Sequence, residues 1–172
     1  MRVCYRHFME LNPYEKFLGD ADPVPILFTT ASRLQMLVAP LSDDQIQASP
    51  APGKWSIREI VAHLADCELV FAFRLRQTLA LDHPVIQPFD QEVWAERYAA
   101  YDFASALGMF KATRNWNLKL LSTVGEADQH RPTTHPERGT MTFWTIIETM
   151  AGHDINHLEQ IELIAQRSRK DE

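Results

Sequence analysis

Four long segments with helical periodicity and almost no strand-like alternation constrain this chain more than anything else in it. The first runs from about Pro25 to Ala39 and places Leu27, Thr30, Leu34, Leu37 and Val38 on one side. The second opens at Ser56, with Glu59 three residues later in the capping-box pattern, and continues to about Leu81 through Ile57, Val61, Leu64, Glu68, Phe71 and Leu75. The third spans about Asp102 to Val124 with Phe103, Ala106, Phe110, Thr113, Asn117, Leu120 and Val124 on its stripe. The fourth spans about Thr142 to Arg167 with Phe143, Ile147, Met150, Ile161 and Ile164. Proline-centred breaks separate them, and a short helix around Asp90 to Ala99 fills the connection after the second. Amphipathic helices of this length with no sheet to cover must bury their stripes against one another, which predicts an all-α four-helix bundle. The long connection after the second helix allows a crossover in place of a simple up-down order.

At 172 residues the whole chain, 1–172, is expected to form one domain with a core that needs no disulfide staples. The net charge of −6 gives a nucleic-acid partner no electrostatic support. No apolar run reaches the length of a membrane span, and the start MRVCYRHFMEL lacks the apolar core of a secretory signal. With Cys4 and Cys67 as its only cysteines, the protein is expected to reside in the cytoplasm.

Against this background the stretch AGHDINHLEQIEL is unusual, because two imidazoles occupy a helical face otherwise made for the core. On a helical wheel His157 falls within roughly 40° and His153 within roughly 80° of the inward direction. Such a pair is either a hydrogen-bonded core feature or a grip on a single ion. His63 offers a third imidazole from the second helix, roughly 100° from the centre of its apolar stripe, on the flank shared by Cys67 and Arg74. Three neutral imidazoles leave one tetrahedral position for water or substrate, as a catalytic metal site requires. Cys67, one turn after His63, would close that position if it ligated.

Two inward carboxylates, Glu68 and Asp154, admit two readings. They accept hydrogen bonds from ligand imidazoles, fixing their tautomers, or they pair with Arg74 or Arg114. His7, His83, His130 and His135 are expected at the surface, His130 just before and His135 within the loop RPTTHPERGT. HExxH, GxGxxG, Walker and GxSxG patterns are absent, as is the pair of Glu-x-x-His motifs of a di-iron bundle.

The run PAPGKWSIREIVAHLADCE, followed at four-helix spacing by HPERGTMTFWTIIETMAGHDINHLEQI, resembles the DinB-like superfamily over about Pro13 to Gln166. That group includes bacillithiol S-transferases and mycothiol-dependent maleylpyruvate isomerases. The resemblance implies a four-helix bundle, frequently a homodimer, in which His63, His153 and His157 hold one divalent ion. Zinc, nickel and iron all suit three imidazoles. It further implies a transferase that activates a low-molecular-weight thiol toward an electrophile, with Arg74 or Arg114 available to bind a carboxylate. Hydrolysis by metal-activated water, with Glu68 or Asp154 as base, and a non-catalytic, stress-related metal-binding bundle are the alternatives.

Overall fold

A computed structural model describes residues 11–168. His7, Cys4 and the last four residues lie outside the described residues. The helices are α1 (Glu15–Leu18), α2 (Pro23–Val38), α3 (Asp43–Gln47), α4 (Ile57–Ala80), α5 (Gln91–Ala95), α6 (Phe103–Leu121), α7 (Glu126–Gln129) and α8 (Phe143–Ser168). A 3-10 turn, Tyr98–Ala100, follows α5, and a two-stranded hairpin, β1 (Pro132–His135) and β2 (Gly139–Thr142), precedes α8.

Each long helix starts where its sequence supplies a cap. Asp22 accepts from the Val24 N–H ahead of a proline-led first turn in α2. Ser56 and Glu59 form the expected reciprocal capping box of α4. Asp102 accepts from the Ser105 N–H at the start of α6, and the Thr142 hydroxyl accepts from the Thr145 N–H at the start of α8.

α2, α4, α6 and α8 form the bundle. α4 packs on α6 and α8, and α2 packs on α8 and α6, so α2 faces α4 across a diagonal. The apolar core falls into two clusters. One contains Leu34, Ile57, Leu64, Phe110, Leu158 and Ile161. The other contains Leu27, Phe71, Leu75, Phe143, Ile147 and Met150. α4 and α6 both run from the first cluster to the second, whereas α2 and α8 run the opposite way. The neighbours α4 and α6 are therefore parallel. Two parallel neighbours need a connection that returns the full length of the bundle, and the stretch from Leu81 to Asp102 does this, seating Ile86 beside the hairpin and Tyr98 in the first cluster. The crossover that the sequence allowed is this one.

The hairpin departs from the sequence reading of this region as a turn-rich loop. Thr133 pairs with Met141 and His135 with Gly139. The alternation of β1 turns Thr133 and His135 inward, and a bridge from Val85 to Thr134 covers the strand. His135 is thus buried, contrary to the surface position expected for it. The hairpin is too short for its alternation to stand out in the sequence. His83 and His130 are exposed as expected.

Gly152 shows how closely α1 sits on α8. A Cβ there would lie 2.6 Å from the Tyr14 carbonyl oxygen and 2.7 Å from the Tyr14 Cβ. Glycine in a helix interior costs about 1 kcal/mol relative to alanine, so the close approach explains why the helix carries one. Gly152→Ala is expected to destabilise the protein by about 1–3 kcal/mol, because backbone must move to admit the methyl group. A denaturant midpoint at or above that of the wild type would show that propensity outweighs the clash.

Candidate metal centre

Between the two apolar clusters lies a layer of buried polar side chains to which every bundle helix contributes. α2 supplies Thr30; α4 supplies His63, Cys67 and Glu68; α6 supplies Arg114 and Asn117; α8 supplies His153, Asp154 and His157. Helical spacing produces this layer directly. His63, Cys67 and Glu68 lie within two turns of one face, as do His153, Asp154 and His157.

Of the three histidines that the sequence singled out, His63 and His153 bring their donor atoms together here, and the His157 ring stands beside them. His63 Nε2 lies 3.0 Å from His153 Nε2. The His157 ring centroid is 4.8 Å from that of His63 and 4.5 Å from that of His153. Two nitrogens at about 2.0–2.1 Å from one tetrahedral ion stand about 3.3 Å apart, so the His63–His153 spacing needs little adjustment to hold one. Cys67 belongs to the same cluster: its Sγ is 3.5 Å from His63 Nε2, and donor atoms of His63, Cys67 and His153 all lie within 4.8 Å of one another.

Burial keeps the imidazoles in the neutral form that a metal ligand requires. Burial, then the neighbouring His157, lowers the His63 pKa to about 3. Burial likewise lowers His157 to about 4, opposed by its hydrogen bond to Gln160 and by Asp154. His153 falls well below the ordinary range, through burial first and then through His157, His63 and Arg114. Cys67 moves the other way: burial pushes its thiol up, and Asp66, Glu68 and Asp154 add to that against the opposing charge of Arg74.

Neutral side chains orient two of the rings. His157 Nδ1 is 3.2 Å from Gln160 Oε1, and the Gln160 amide nitrogen donates to Asn156 Oδ1 at 3.3 Å. With its amide so turned, Gln160 presents an acceptor, which places the proton on His157 Nδ1 and leaves Nε2 with a free lone pair. His63 Nδ1 faces the Tyr98 hydroxyl at 3.3 Å while its Nε2 faces His153. Trp55 lies against His63 with ring centroids 4.9 Å apart, and Tyr14 meets His153 edge-on at 5.1 Å. Tyr98 and Gln160 were not legible as site residues. Tyr98 arrives on the crossover connection, and Gln160 reads as an ordinary polar position of α8.

Glu68 and Asp154 take the ion-pair alternative. The Arg114 guanidinium donates to Asp154 Oδ2 at 2.6 Å and Oδ1 at 3.0 Å, and to Glu68 Oε2 at 2.7 Å. Thr30 donates to Asp154 Oδ2 at 2.7 Å, and Asn117 to Glu68 Oε1 at 2.8 Å. Burial opposes the charge on Arg114, but Asp154 and Glu68 outweigh it and hold the guanidinium above its ordinary pKa. The hydrogen bonds to the rings come from Tyr98 and Gln160 instead, because Arg114 reaches the layer from α6 and engages both carboxylates. Arg74, the other arginine considered, donates to the Gln87 carbonyl at 2.8 Å.

A cleft of about 630 Å³ reaches this layer from outside, with His63, His157, Trp55, Tyr14 and Gln160 in its walls and the exposed Lys54, Glu92 and Arg167 also lining it. A buried set of imidazole donors at the end of an open cleft defines a metal-binding bundle of the kind the sequence resembled, and the chain belongs to the DinB superfamily, whose family model matches residues 27–161. It is 30% identical to a protein of Oceanobacillus iheyensis over 135 residues, 78% of each chain. It is 28% identical to one of Geobacillus kaustophilus over 140 residues, 79% of this chain and 78% of the other. The names of both provisionally describe metal-dependent hydrolases. The fold matches that of YfiT from Bacillus subtilis with a TM-score of 0.78 at 21% identity, covering 97% of this chain and 94% of that one. That structure is described as having an "unusual four-helix bundle topology". No helix among the described residues is long and apolar enough to cross a membrane.

Proposed function

We propose that the protein is a metal-dependent enzyme in which His63, His153 and His157 hold one divalent ion, and that it transfers a low-molecular-weight thiol to an electrophile entering by the cleft. The observation that carries this reading is the engagement of Glu68 and Asp154 by Arg114. Neither carboxylate is then free to take a proton from water, and a thiol, with an ordinary pKa of about 8.5, needs far less help to ionise than water does. A divalent ion at the histidines would supply Lewis acidity that favours the thiolate.

The chain's own side chains do the rest. Gln160 and Tyr98 hold the His157 and His63 rings through their Nδ1 atoms. Trp55 and Tyr14 pack against the His63 and His153 rings and wall the cleft beside them. Lys54 and Arg167, exposed residues that line the cleft, attract an anionic group on the thiol or its acceptor. Hydrolysis is the second reading, favoured by the names of the relatives; it would take Glu92, which also lines the cleft, as its base. A homodimer, with no nucleic-acid or membrane partner, completes the proposal.

Protein purified without a metal-affinity tag is expected to carry close to one equivalent of divalent ion, and His157→Ala to lose it. Cobalt-loaded protein separates the readings. Titration with 2-mercaptoethanol is expected to raise an intense thiolate charge-transfer band with proton release, and thiol-dependent loss of an electrophile should follow. Hydrolysis of a test ester or amide without thiol, and no such band, would favour the second reading. A band present before any thiol is added, and lost in Cys67→Ser, would mean that Cys67 closes the site and would overturn the transferase assignment.

A further inference from the structure

The outer face of the α4–α6 pair carries an apolar stripe that no other described element covers. Leu69 and Phe73, at the middle of α4, are 41% and 62% exposed, and Met109 and Trp116 on α6 are 41% and 62% exposed. Single exposed apolar side chains are ordinary on a surface, but a contiguous stripe marks a place of interaction. Leu69 and Phe73 form a ridge with a groove of about 450 Å³ on each side. Ala72, Arg76, Ala112 and Trp116 line the groove toward α6, and Val70, Phe89 and Trp94 line the other.

One charge of each sign bounds the ridge. Asp66 lies about one turn before Leu69, and Arg76 about one turn after Phe73; both are half-buried. On a helical wheel Asp66, Leu69, Phe73 and Arg76 fall within roughly 40° of one line along α4, opposite the buried Phe71. Neither charge takes part in an ion pair among the described residues. Arg76 is held in place all the same, its Nη1 donating to the Ala72 carbonyl and to Asn117 Oδ1, both at 2.8 Å. Both acceptors are neutral, so the guanidinium keeps its charge for a carboxylate that the chain itself does not supply.

The order acid, leucine, phenylalanine, base complements itself when reversed. Asp66 and Arg76 lie five positions either side of Phe71, and Leu69 and Phe73 two positions either side. A two-fold axis crossing α4 level with Phe71 therefore lays α4 of a second copy antiparallel on the first and sets each Asp66 level with the other copy's Arg76. On the wheel Leu69 leans toward the α6 side and Phe73 away from it. Each Phe73 then enters the other copy's groove beside Phe89 and Trp94, and each Leu69 the groove beside Ala112. We propose that this face binds a second copy of the chain in that antiparallel register, closed at each end by an Asp66–Arg76 ion pair. A partner of unrelated sequence would not require the mirrored order. The inference rests on the homodimer proposed above, for which it supplies the surface, and on nothing in the metal or thiol chemistry.

Sedimentation equilibrium of the full-length protein tests this. The wild type is expected to form a dimer, and Phe73→Ser to raise its Kd at least tenfold, because a two-fold contact loses each side chain twice. Asp66→Lys and Arg76→Glu are each expected to raise the Kd at least tenfold by setting like charges level with one another. Mixed in equal amounts, these two variants should associate within threefold of the wild type, since the mixed dimer pairs an acid with a base at both ends. A variant weakened by misfolding would gain nothing from mixing. His157→Ala should leave the Kd within twofold, so failure of the metal assignment is read separately. A dimer that all three variants leave intact would overturn this face while keeping the homodimer, and a monomer at every concentration would overturn both. Weakened variants that do not recover on mixing would overturn the register.

Discussion

Arg114→Met is expected to cost about 3–5 kcal/mol of stability, the range for removing one member of a buried ionic network. The loss comes less from the missing attraction than from the carboxylates left behind. Glu68 and Asp154 are each 1% exposed, and without the guanidinium they stay in the core as charges or take up protons. The effect extends to the histidine cluster, because Asp154 adjoins His153 and Glu68 adjoins Cys67 along their helices. Arg114 also donates to the Leu27 carbonyl at 3.1 Å and so joins α2 to the network. The triple variant Glu68→Gln, Arg114→Met, Asp154→Asn should recover a large part of the loss, since it removes the charges together. Denaturant unfolding of the single and triple variants measures both. A single variant within 1 kcal/mol of the wild type, on the scale set by buried ion pairs, would mean that water reaches the layer and relieves the carboxylates.

Chelated protein is expected to lose stability steeply as pH falls from about 6.5 toward 4. His63 and His157 have folded pKa values of about 3 and about 4, and His153 lies well below the ordinary value. In the unfolded chain each titrates near 6.5. Below that pH the unfolded chain takes up protons that the folded protein refuses, so the neutral rings stabilise the fold above pH 6.5 and that contribution drains away on acidification. His157 completes its loss near pH 4 and His63 near pH 3. Each histidine contributes about 1.4 kcal/mol per pH unit, so the three together give about 4 kcal/mol per unit within the window. By pH 4 the loss is of the same order as the 5–15 kcal/mol typical of a folded domain, so the metal-free protein is expected to be strongly destabilised there. A bound ion should move the transition to lower pH by mass action. His135 adds to the loss in the same direction, with a folded pKa of about 4. Melting temperatures of chelated and metal-loaded protein from pH 7 to pH 4 test this. A flat profile for the chelated protein would show that the rings are solvated and free to protonate in the folded state.

Much of the architecture is local and was therefore readable. The stripes of α2, α4, α6 and α8 follow from 3.6-residue periodicity, and the Ser56–Glu59 box and Asp102 set helix starts within a residue of those observed. The inward placement of His153 and His157 follows from the same periodicity. A wheel places a side chain on a face, however, and says nothing of what lies opposite. Which arginine would meet Glu68 and Asp154 was undetermined in the sequence, because Arg74 and Arg114 both lie on helices that border the layer. The parallel pairing of α4 with α6 brought Arg114 to them and left Arg74 under Gln87 without a counter-ion. The same crossover laid Tyr98 against His63, 35 residues away in sequence. The short hairpin buried His135, which its flanking proline and glycine had marked for the surface. Local sequence determined where the helices run and which faces they bury, since capping and periodicity act over a few residues. Only the tertiary structure decided how the buried charges pair and which groups orient the histidines, since those contacts depend on the order in which the helices pack.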